Sequence, residues 1–409
     1  MVIKEGYKKT EIGLIPEDWD VKNIGDVCQI FGRIGFRGYT VNDIVKKEQG
    51  AITISPSNIY GDKINFAKCT YISWFKYHES PEIKIYNGDV LLVKTGSTSG
   101  KTALVKNLNE KATINPQLVV LKKILINNFL LSYIMSYEIV QNQIISTIVG
   151  GAIPTLSQKQ VLSFKIPLPP SPAEQTAIAT ALSDADGLIT GLEKLMAKKR
   201  NIKQGAMQQL LQPKEGWEVK KLGEVATIVR GASPRPIEDT KWFDSQSPTG
   251  WVRISDVTKS KKNLTETTQK LSDLGVKNSR LVENGNLIMS ICATVGRPIL
   301  TTFDVCIHDG FVVFKNPQVD KEYLYYFLTF IEDNWTKSGQ TGSQMNLNTT
   351  LINNTEIPFP KSNQEQTRIA KVFSDMDEEL SVLEQKLEKY KKVKLGMMQE
   401  LLTGKTRLV

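Results

Sequence analysis

The sequence predicts an α/β (α+β) fold built twice: two globular domains joined by two long antiparallel coiled-coil helices. Three observations lead to this prediction. Large parts of the chain repeat, prolines separate a strand-rich part from a helical part in each copy, and apolar residues in both helical parts alternate by four and three. Because such a helix pair carries the chain out and back, we expect a pseudo-two-fold, circular arrangement.

The repeat is clearest near the start of the helical parts. IPLPPSPAEQTAIATALSDADGLI at residues 166–189 is matched by IPFPKSNQEQTRIAKVFSDMDEEL at residues 357–380. The offset of 191 residues (357 − 166) holds as far as Leu211 and Leu402. A repeat of this length indicates a duplicated domain and not a solenoid of small units.

The order of segments within each copy gives the domain boundaries. We predict a first globular domain at residues 1–170, a central helical region at 171–212, a second globular domain at 213–360 and a C-terminal helical region at 361–409. Within the globular parts, GDVLLVK, GNLIMSI, QLVVLKK and GFVVFKN are typical of buried strands. FLLSYIMSYEIVQNQI and EYLYYFLTFIEDNW are typical of helices whose aromatic residues belong to a core.

Each helical region begins with a sequence typical of a capping box, Ser171 with Glu174 and Ser362 with Glu365. The apolar alternation that follows is typical of a coiled-coil seam. Two amphipathic helices that each lie on their own domain are the plainer alternative, but the matched lengths and patterns favour helices that pack on each other. The predicted seam residues are Ile178, Leu182, Ile189, Leu192, Met196, Ile369, Phe373, Leu380, Leu383 and Leu387.

Composition narrows the class of protein. The chain has 409 residues and a formal net charge of +9, which makes a polyanionic partner plausible without establishing one. Four cysteines without a CxxC pair, together with two histidines, argue against a metal site. Sparse thiols fit a reducing compartment, and the N-terminus lacks the apolar run of a signal peptide. We therefore expect a cytoplasmic protein.

The stretch KTGSTSGKT at residues 94–102 looks like a phosphate-binding loop. However, Gly96 and Gly100 enclose three residues where that loop needs four, and the repeated stretch SICATVGRP has Pro298 at the hydroxyl position. We interpret both stretches as turns that offer a hydroxyl and a cation to an anion. The residues concerned are Thr98, Lys101, Thr294 and Arg297.

The sequence contains only weak matches to the motifs of known catalytic sites. Asp62 followed by Glu82-Ile83-Lys84 resembles a metal-dependent nuclease site, but the second copy has no equivalent, so a solvated surface is the better interpretation. The aromatic motif and the glycine-rich loop of a base methyltransferase are missing, and no Ser-His-Asp arrangement is credible with two histidines. We predict no catalytic residue.

Basic loops occur at similar places in both copies. Guanidinium groups on glycine-containing loops can reach guanine edges or phosphates, although any single one is more often solubilising charge. The loops are GRIGFRG with Arg33 and Arg37, RGASPRP with Arg230 and Arg235, and RISDVTKSKK with Arg253, Lys259, Lys261 and Lys262.

Four motifs carry a resemblance to a known family. They are EQ-x-x-IA at 174–179 and 365–370, G-x-MQ-x-LL at 205–211 and 396–402, the terminal LLTGKTRL, and GW-x-x-x-x-LG-x-V at 216–225. The chain resembles the specificity subunit of type I restriction-modification systems over nearly its whole length. The helical motifs are specific, whereas the globular domains match in outline. One departure is LLQPKEGW at the end of the first helix, in place of LLTGK.

The resemblance implies two target recognition domains, each reading one half of a split sequence in double-stranded DNA. It implies that the helices set the spacer and bind modification subunits. S-adenosylmethionine, ATP and Mg²⁺ would be bound only by modification and restriction subunits, with no cofactor on this chain. The basic and hydroxyl side chains named above are then the candidate DNA contacts. Two alternatives stay open: a stand-alone DNA-modifying enzyme, and a coiled-coil protein adaptor.

Overall fold

The computed structural model describes residues 5–148, 154–338 and 347–408. The chain divides into two compact units. Unit 1 contains Met1–Glu193 and Lys386–Val409, and unit 2 contains Lys194–Gln385. Each unit therefore holds one globular domain together with parts of both long helices.

Unit 1 contains fifteen of the strands in the described residues and the first helices. The strands are β1 Tyr7–Thr10, β2 Gly13–Pro16, β3 Asp20–Asn23, β4 Gln29–Gly32, β5 Ile44–Val45, β6 Gly50–Ile54, β7 Ile59–Tyr60, β8 Lys63–Ile64, β9 Thr70–Ser73, β10 Lys84–Ile85, β11 Val90–Val93, β12 Thr102–Leu104, β13 Ala112–Ile114, β14 Leu118–Lys122 and β15 Lys165–Leu168. The helices are α1 Ile24–Val27, α2 Trp74–Glu79, α3 Asn128–Ser136, α4 Glu138–Ile148, α5 Gln158–Ser163 and the long α6 Pro172–Leu210, which continues into unit 2.

Two sheets form the centre of unit 1. One has the order β12-β11-β14-β4 and is antiparallel, and the other has the order β10-β13-β6-β9-β5. Strands β6 and β13 are parallel, with Ile54 beside Ile114. Three two-stranded sheets, β1-β2, β3-β15 and β7-β8, complete the unit in its described residues.

Strands β11 and β14 are apolar at every position from Val90 to Val93 and from Leu118 to Leu121 because both faces of their sheet are covered. Successive side chains of a strand point to opposite faces. Val90 and Leu92 join the core shared with the helices, whereas Leu91 and Val93 pack with the residues of the five-stranded sheet. The predicted buried strands are confirmed, and one sheet forms the middle layer of three.

Unit 2 repeats this plan. Its strands are β16 Glu218–Lys221, β17 Thr227–Arg230, β18 Gly250–Val252, β19 Asn263–Leu264, β20 Gln269–Lys270, β21 Arg280–Val282, β22 Leu287–Ser290, β23 Pro298–Thr301, β24 Val305–Ile307, β25 Phe311–Lys315 and β26 Glu356–Phe359. Its helices are α7 Leu222–Val225, α8 Ile254–Lys259, α9 Asp273–Lys277, α10 Lys321–Phe330, α11 Glu332–Ser338, α12 Thr349–Asn354 and the long α13 Asn363–Leu401, which continues into unit 1.

The sheets of unit 2 have the orders β17-β25-β22-β23-β19 and β20-β18-β24-β21, with β16-β26 as a separate pair. Strands β18 and β24 are parallel, as β6 and β13 are in unit 1. Leu287 and Met289 pack on the helical side, and Ile288 packs on the other. The same two-sided burial explains why the strand sequences of both copies are so apolar.

The glutamine of the EQ motif ties each long helix to its domain. In unit 1 the Gln175 side chain accepts a hydrogen bond from the amide of Asn127 and donates to the Pro169 carbonyl oxygen. In unit 2 Gln366 accepts from the Asp320 amide and donates to Pro360. Both glutamines are buried, so each satisfies backbone groups that would otherwise lack a partner.

The two long helices run antiparallel within each unit. In unit 1, Ile178 and Leu182 of α6 share a core with Met398 and Leu401 of α13. In unit 2, Met207 of α6 lies in one core with the early α13 residues Ile369 and Phe373. Eight of the ten predicted seam residues are buried, and Leu192 and Leu383 are half-buried. In each unit, the apolar residues of one long helix pack with those of the other long helix and with the globular domain of that unit.

The C-terminal segment returns to the N-terminal domain, as the circular arrangement predicts. Arg407 donates two hydrogen bonds of 2.8 Å to Asp18 and bonds of 2.5 and 2.9 Å to Glu174. Its guanidinium lies 5.7 Å from the ring centre of Trp19. Glu174 therefore binds Arg407, and the capping hydrogen bond at this helix start is the 3.5 Å contact from its amide to Ser171 Oγ.

In the described ranges, none of the helices combines the length and apolar character needed to span a lipid bilayer.

Candidate nucleic-acid interface

Polar residues follow the two parallel strand pairs at equivalent places. Ser55 follows β6 and Asn115 follows β13, whereas Arg253 follows β18 and His308 follows β24. Because the carboxyl ends of parallel strands meet at one edge of a sheet, each domain gathers polar side chains there. The arginine loops after β4 and β17 reach the same edge.

In the second domain, Asp309 contacts three residues of the loop that contains Arg230 and Arg235. Arg230 donates from Nε to the Asp309 carbonyl oxygen at 2.7 Å, and Ser233 Oγ donates to the Asp309 carboxylate at 2.9 Å. Arg235 lies 3.6 Å from the same carboxylate, and its side chain is 77% exposed. These contacts orient the loop and leave guanidinium surface open to solvent.

Arg253 and His308 line a neighbouring cleft of about 390 Å³, together with Ser233, Ile237, Trp251, Ile254 and Ser255. Arg253 is exposed and donates to the Gln269 side-chain oxygen at 3.1 Å. His308 Nδ1 accepts a hydrogen bond from the Gly310 amide at 2.9 Å, so the proton of the neutral ring lies on Nε2. Burial lowers the pKa of His308, and Arg253 adds to this against the opposing effect of Asp309.

In the first domain, the two arginines of the loop have different environments. Arg33 is 5% exposed and donates to the carbonyl oxygens of Ile114 and Arg37 at 3.4 and 3.2 Å. Its guanidinium also lies 5.4 Å from the ring centre of Tyr39. Arg37 is about one third exposed and lies 3.5 Å from Glu82. Arg33 thus braces the loop, and Arg37 stands at its surface.

The stretch KTGSTSGKT forms a turn between β11 and β12. The amides of Gly96, Ser99, Gly100 and Lys101 all donate to backbone carbonyl oxygens, so they are not available to surround a phosphate. Gly100 has φ +96°, and a Cβ there would lie 2.9 Å from the Gln141 side chain. Lys101 is exposed and Thr98 is half-buried.

The corresponding turn of the second domain uses glycine for the same reason. Gly296 has φ +84°, and a Cβ there would lie 2.2 Å from Trp335. Thr294 is half-buried, and its carbonyl oxygen accepts from the Ser290 hydroxyl. Arg297 donates to the Ser260 carbonyl oxygen at 3.0 Å. Each glycine allows its turn to pack closely against α4 or α11.

The lysines after β18 divide into two groups. Lys259 is exposed on α8. Lys261 forms an ion pair with Glu384 of α13, and Lys262 lies 2.9 Å from Glu322. Together with Arg297, these two lysines line a cleft of about 780 Å³ against the long helices. Three predicted DNA contacts therefore have acidic or backbone partners on the helical side of the domain.

A tyrosine–aspartate–lysine cluster that the sequence patterns did not predict occurs in both units. In unit 1, Tyr133 donates to Asp186 at 2.6 Å, and Lys394 Nζ lies 2.6 Å from Asp186 and 2.9 Å from Asp62. In unit 2, Tyr326 donates to Asp377 at 3.0 Å, and Lys203 lies 2.5 Å from Asp377. The repeat could have revealed this cluster, because Asp186 matches Asp377 and Lys203 matches Lys394 at the offset of 191 residues.

The nuclease-like pattern of the first domain has other partners. Asp62 is bound by Lys394 and Glu82 pairs with Arg37. In the part of the chain that the structure describes, no three His, Cys, Asp or Glu side chains are placed to hold a metal ion.

The sequence profile described as the type I restriction modification DNA specificity domain matches residues 16–204 and again residues 214–392. Two relatives from Methanocaldococcus jannaschii are named as the MjaX and MjaVIII specificity subunits of type I restriction enzymes. Each is 26% identical, and each alignment covers 99% of this chain and 97% of the relative.

Solved structures share the fold. A chain from a study of complex assembly and conformational transition of the type I R-M system has a TM-score of 0.62 at 17% identity, covering 96% of this chain and 99% of that one. The type I restriction-modification S subunit from M. genitalium has a TM-score of 0.58 at 13% identity, covering 98% of each chain. These likenesses confirm the predicted fold class.

The two profile matches fall on the two copies that the internal repeat defines and together cover most of the chain. Neither the stand-alone modifying enzyme nor the protein adaptor finds support in any of these comparisons. The chain belongs to the type I restriction-modification DNA specificity family.

Proposed function

We propose that this chain is the non-catalytic DNA-recognition subunit of a type I restriction-modification enzyme and that each domain reads one half of a bipartite DNA site. The observation that carries the proposal is the repeated placement of an arginine loop at the carboxyl end of a parallel strand pair. Two such edges in one chain suit two half-sites, and the net charge of +9 suits a polyanion.

The contacts divide by their surroundings. Arg37, Arg230, Arg235 and Arg253 present guanidinium groups at the loop edges and are the proposed readers of bases or adjacent phosphates. Lys101, Lys259, Thr98 and Thr294 are proposed contacts to the sugar-phosphate backbone. Arg33, Lys261, Lys262 and Arg297 already have intramolecular partners, so their proposed role is to hold the reading loops in place.

The long helices are the proposed spacer and the surface that binds the modification subunits. Insertion of seven residues after Glu193 and seven after Gln385 would lengthen both helices at the division between the units. At 1.5 Å per residue this adds about 10 Å, or roughly three base pairs. The gap between half-sites should then increase while both half-sites stay the same. Changed half-sites with an unchanged gap would contradict the spacer role.

Catalysis is assigned to partner subunits, which would bind S-adenosylmethionine, ATP and Mg²⁺ in the cytoplasm. The purified chain with Mg²⁺ or S-adenosylmethionine should neither cut nor methylate DNA, and the assembled complex should methylate it. Activity of the chain alone would favour the stand-alone enzyme.

The direct test of DNA recognition is selection from a pool of randomised duplexes by the complex with its modification subunits. We expect recovery of two short sequences separated by a fixed gap. Recovery of a single ungapped sequence, or of none, would refute the proposal. The variant Arg235→Ala should weaken binding, whereas Lys371→Ala, on the exposed face of α13, should not.

A further inference from the structure

Arg253 and His308 lie side by side at the carboxyl end of the parallel pair β18 and β24. Val252 lies beside Ile307 in the register of that pair, so Arg253 and His308 are the next residues of two neighbouring strands. Neighbouring strands lie about 4.8 Å apart. Arg253 keeps an extended backbone, with φ −107° and ψ 157°, although it also precedes α8. The two side chains therefore start from adjacent positions at the edge that we propose to bind DNA.

Both side chains belong to the outer face of their sheet. Trp251 and Cys306 pack in an apolar cluster on that face, which is separate from the core between the two sheets. Residues two apart in a strand share a face, and Arg253 and His308 follow Trp251 and Cys306 by two residues. Together with Trp251 they line the cleft of about 390 Å³. The two polar groups thus meet in one open cleft.

Each of the two side chains carries a hydrogen-bond donor. His308 Nδ1 accepts from the Gly310 amide at 2.9 Å, which places the proton of the neutral ring on Nε2. Arg253 donates from Nη1 to the Gln269 side chain at 3.1 Å, and this contact orients the guanidinium. Within the part of the chain that the structure describes, Nε2 of His308 and the other guanidinium nitrogens of Arg253 have no hydrogen-bond partner. These donors are available to a ligand.

A group that only accepts hydrogen bonds suits two adjacent donors. In the major groove, guanine displays the acceptors O6 and N7, whereas adenine displays an amino group beside its N7. Phosphate oxygens are acceptors too. However, the Asp309 carboxylate is partly exposed and lies 3.8 Å from His308 Nδ1, and its charge repels a phosphate. The same carboxylate can accept from the amino group of the cytosine that pairs with guanine. The cleft therefore matches a G·C base pair.

The first domain has neutral residues at the matching positions. Ser55 follows β6 and Asn115 follows β13. Ser55 Oγ donates to the Asn58 side-chain oxygen at 2.8 Å. Asn115 donates to the Tyr39 hydroxyl at 3.1 Å and accepts from the Gln117 amide at 2.7 Å. The pair of adjacent free donors is therefore confined to the second domain.

We propose that Arg253 and His308 together read the guanine of one G·C base pair, in the major groove of the half-site that the second domain binds. The proposal rests on the proposed function and adds to it the identity of one base pair. It makes His308 a specificity-determining residue. Gln269 is a positioning residue, which acts by orienting the guanidinium of Arg253.

The test uses the complex with its modification subunits and duplexes that carry the selected sequence. The half-site of the second domain is the one that loses specificity in Arg235→Ala. Each guanine there is replaced in turn by 7-deazaguanine, which lacks N7, or by hypoxanthine, which keeps N7 and O6 and lacks only the minor-groove amino group. At one position, 7-deazaguanine should lower the affinity of the wild-type complex about tenfold, and hypoxanthine should leave it unchanged.

Two substitutions test the residues themselves. His308→Asn keeps an acceptor for the Gly310 amide and removes the Nε2 donor, and Arg253→Met removes the guanidinium. Each should reduce the preference for G·C over A·T at this base pair about tenfold and leave the other half-site unchanged. Lys277→Met, which removes an exposed cation of α9, should leave the preference unchanged.

Several results would overturn the proposal. One is a second half-site without guanine, and another is a 7-deazaguanine effect that both substitutions leave unchanged. An equal loss of affinity for all sequences in the two variants, without a 7-deazaguanine effect, would assign the donors to a phosphate. A loss of affinity with hypoxanthine would place the contact in the minor groove. If the wild-type complex selects no gapped sequence, the proposed function itself fails.

Discussion

Lys394 is expected to stabilise unit 1 by pairing with two acidic groups from different segments. Its ammonium lies 2.6 Å from Asp186 of α6 and 2.9 Å from Asp62 between β7 and β8. The side chains of Lys394, Asp186 and Asp62 are 16%, 19% and 31% exposed. Lys394→Met would leave two carboxylates close together with little water around them.

The burial of these three side chains determines how much stability Lys394→Met should lose. Removing one partner of a buried ion pair destabilises a protein by about 3–5 kcal/mol, and the partial exposure of Asp62 favours the lower end, about 3 kcal/mol. For a unit of this size, that corresponds to a decrease of about 6–12 °C in the unfolding midpoint. The assay is thermal unfolding of the full chain followed by calorimetry, which separates the transitions of the two units.

Lys371→Met is the matched control on the same helix. Lys371 pairs with Asp375 at 2.9 Å, but both side chains are mostly exposed, so no measurable change is expected. A Lys394 variant that unfolds at the same temperature as this control would show that the Lys394 ion pairs do not stabilise unit 1.

The pH dependence of the stability of unit 1 is a second test of the cluster formed by Lys394, Asp62 and Asp186. Burial disfavours the charged form of Asp62, but Lys394 outweighs it and holds the pKa of Asp62 below its usual value. Burial also opposes the charge on Lys394, yet the two carboxylates raise its pKa. The stabilisation should therefore be present from about pH 4 to about pH 10 and be lost on either side. The difference between wild type and Lys394→Met should be largest within that window.

Three further predictions concern other contacts. Arg407→Ala should destabilise unit 1 by about 3 kcal/mol because it leaves the buried Glu174 unpaired, and calorimetry should show a lower midpoint for that unit only. Gly296→Ala should lower the midpoint of unit 2 because its Cβ meets Trp335 at a positive φ, whereas Gly396→Ala, in open space on α13, should raise stability by about 1 kcal/mol. Burial lowers the pKa of His308, so the unfolded chain binds a proton more readily than the folded chain. The unfolding midpoint of unit 2 should therefore decrease below about pH 6.5, and His308→Gln should reduce that decrease. Equal pH profiles for variant and wild type would contradict this role of His308.

Sequence patterns predicted the strands and helices because each pattern depends on the geometry and burial of the element that carries it. The apolar runs of β11 and β22 follow from burial on both faces of a sheet, and the spacing of apolar residues in α6 and α13 follows from helical geometry. The repeat then allowed one copy to correct the other, as when the second copy argued against a nucleotide loop at Gly96–Gly100.

The partners of charged residues could not be predicted in the same way. Lys261 and Arg297 look like free cations in the sequence, but Lys261 pairs with Glu384, which lies far along the chain. Arg33 stands in a loop typical of nucleic-acid contacts, yet it is buried against the end of β13. A charge in a sequence does not reveal its partner, because long-range pairing depends on the tertiary fold.

The central claim is that each domain reads its own half of a bipartite DNA site. The most direct measurement is the consensus selected from randomised duplexes by complexes that contain Arg235→Ala together with Arg253→Ala, compared with wild type. We expect one half-site to become less specific while the other half-site and the gap length stay the same. Loss of specificity in both half-sites, or an unchanged consensus, would contradict it.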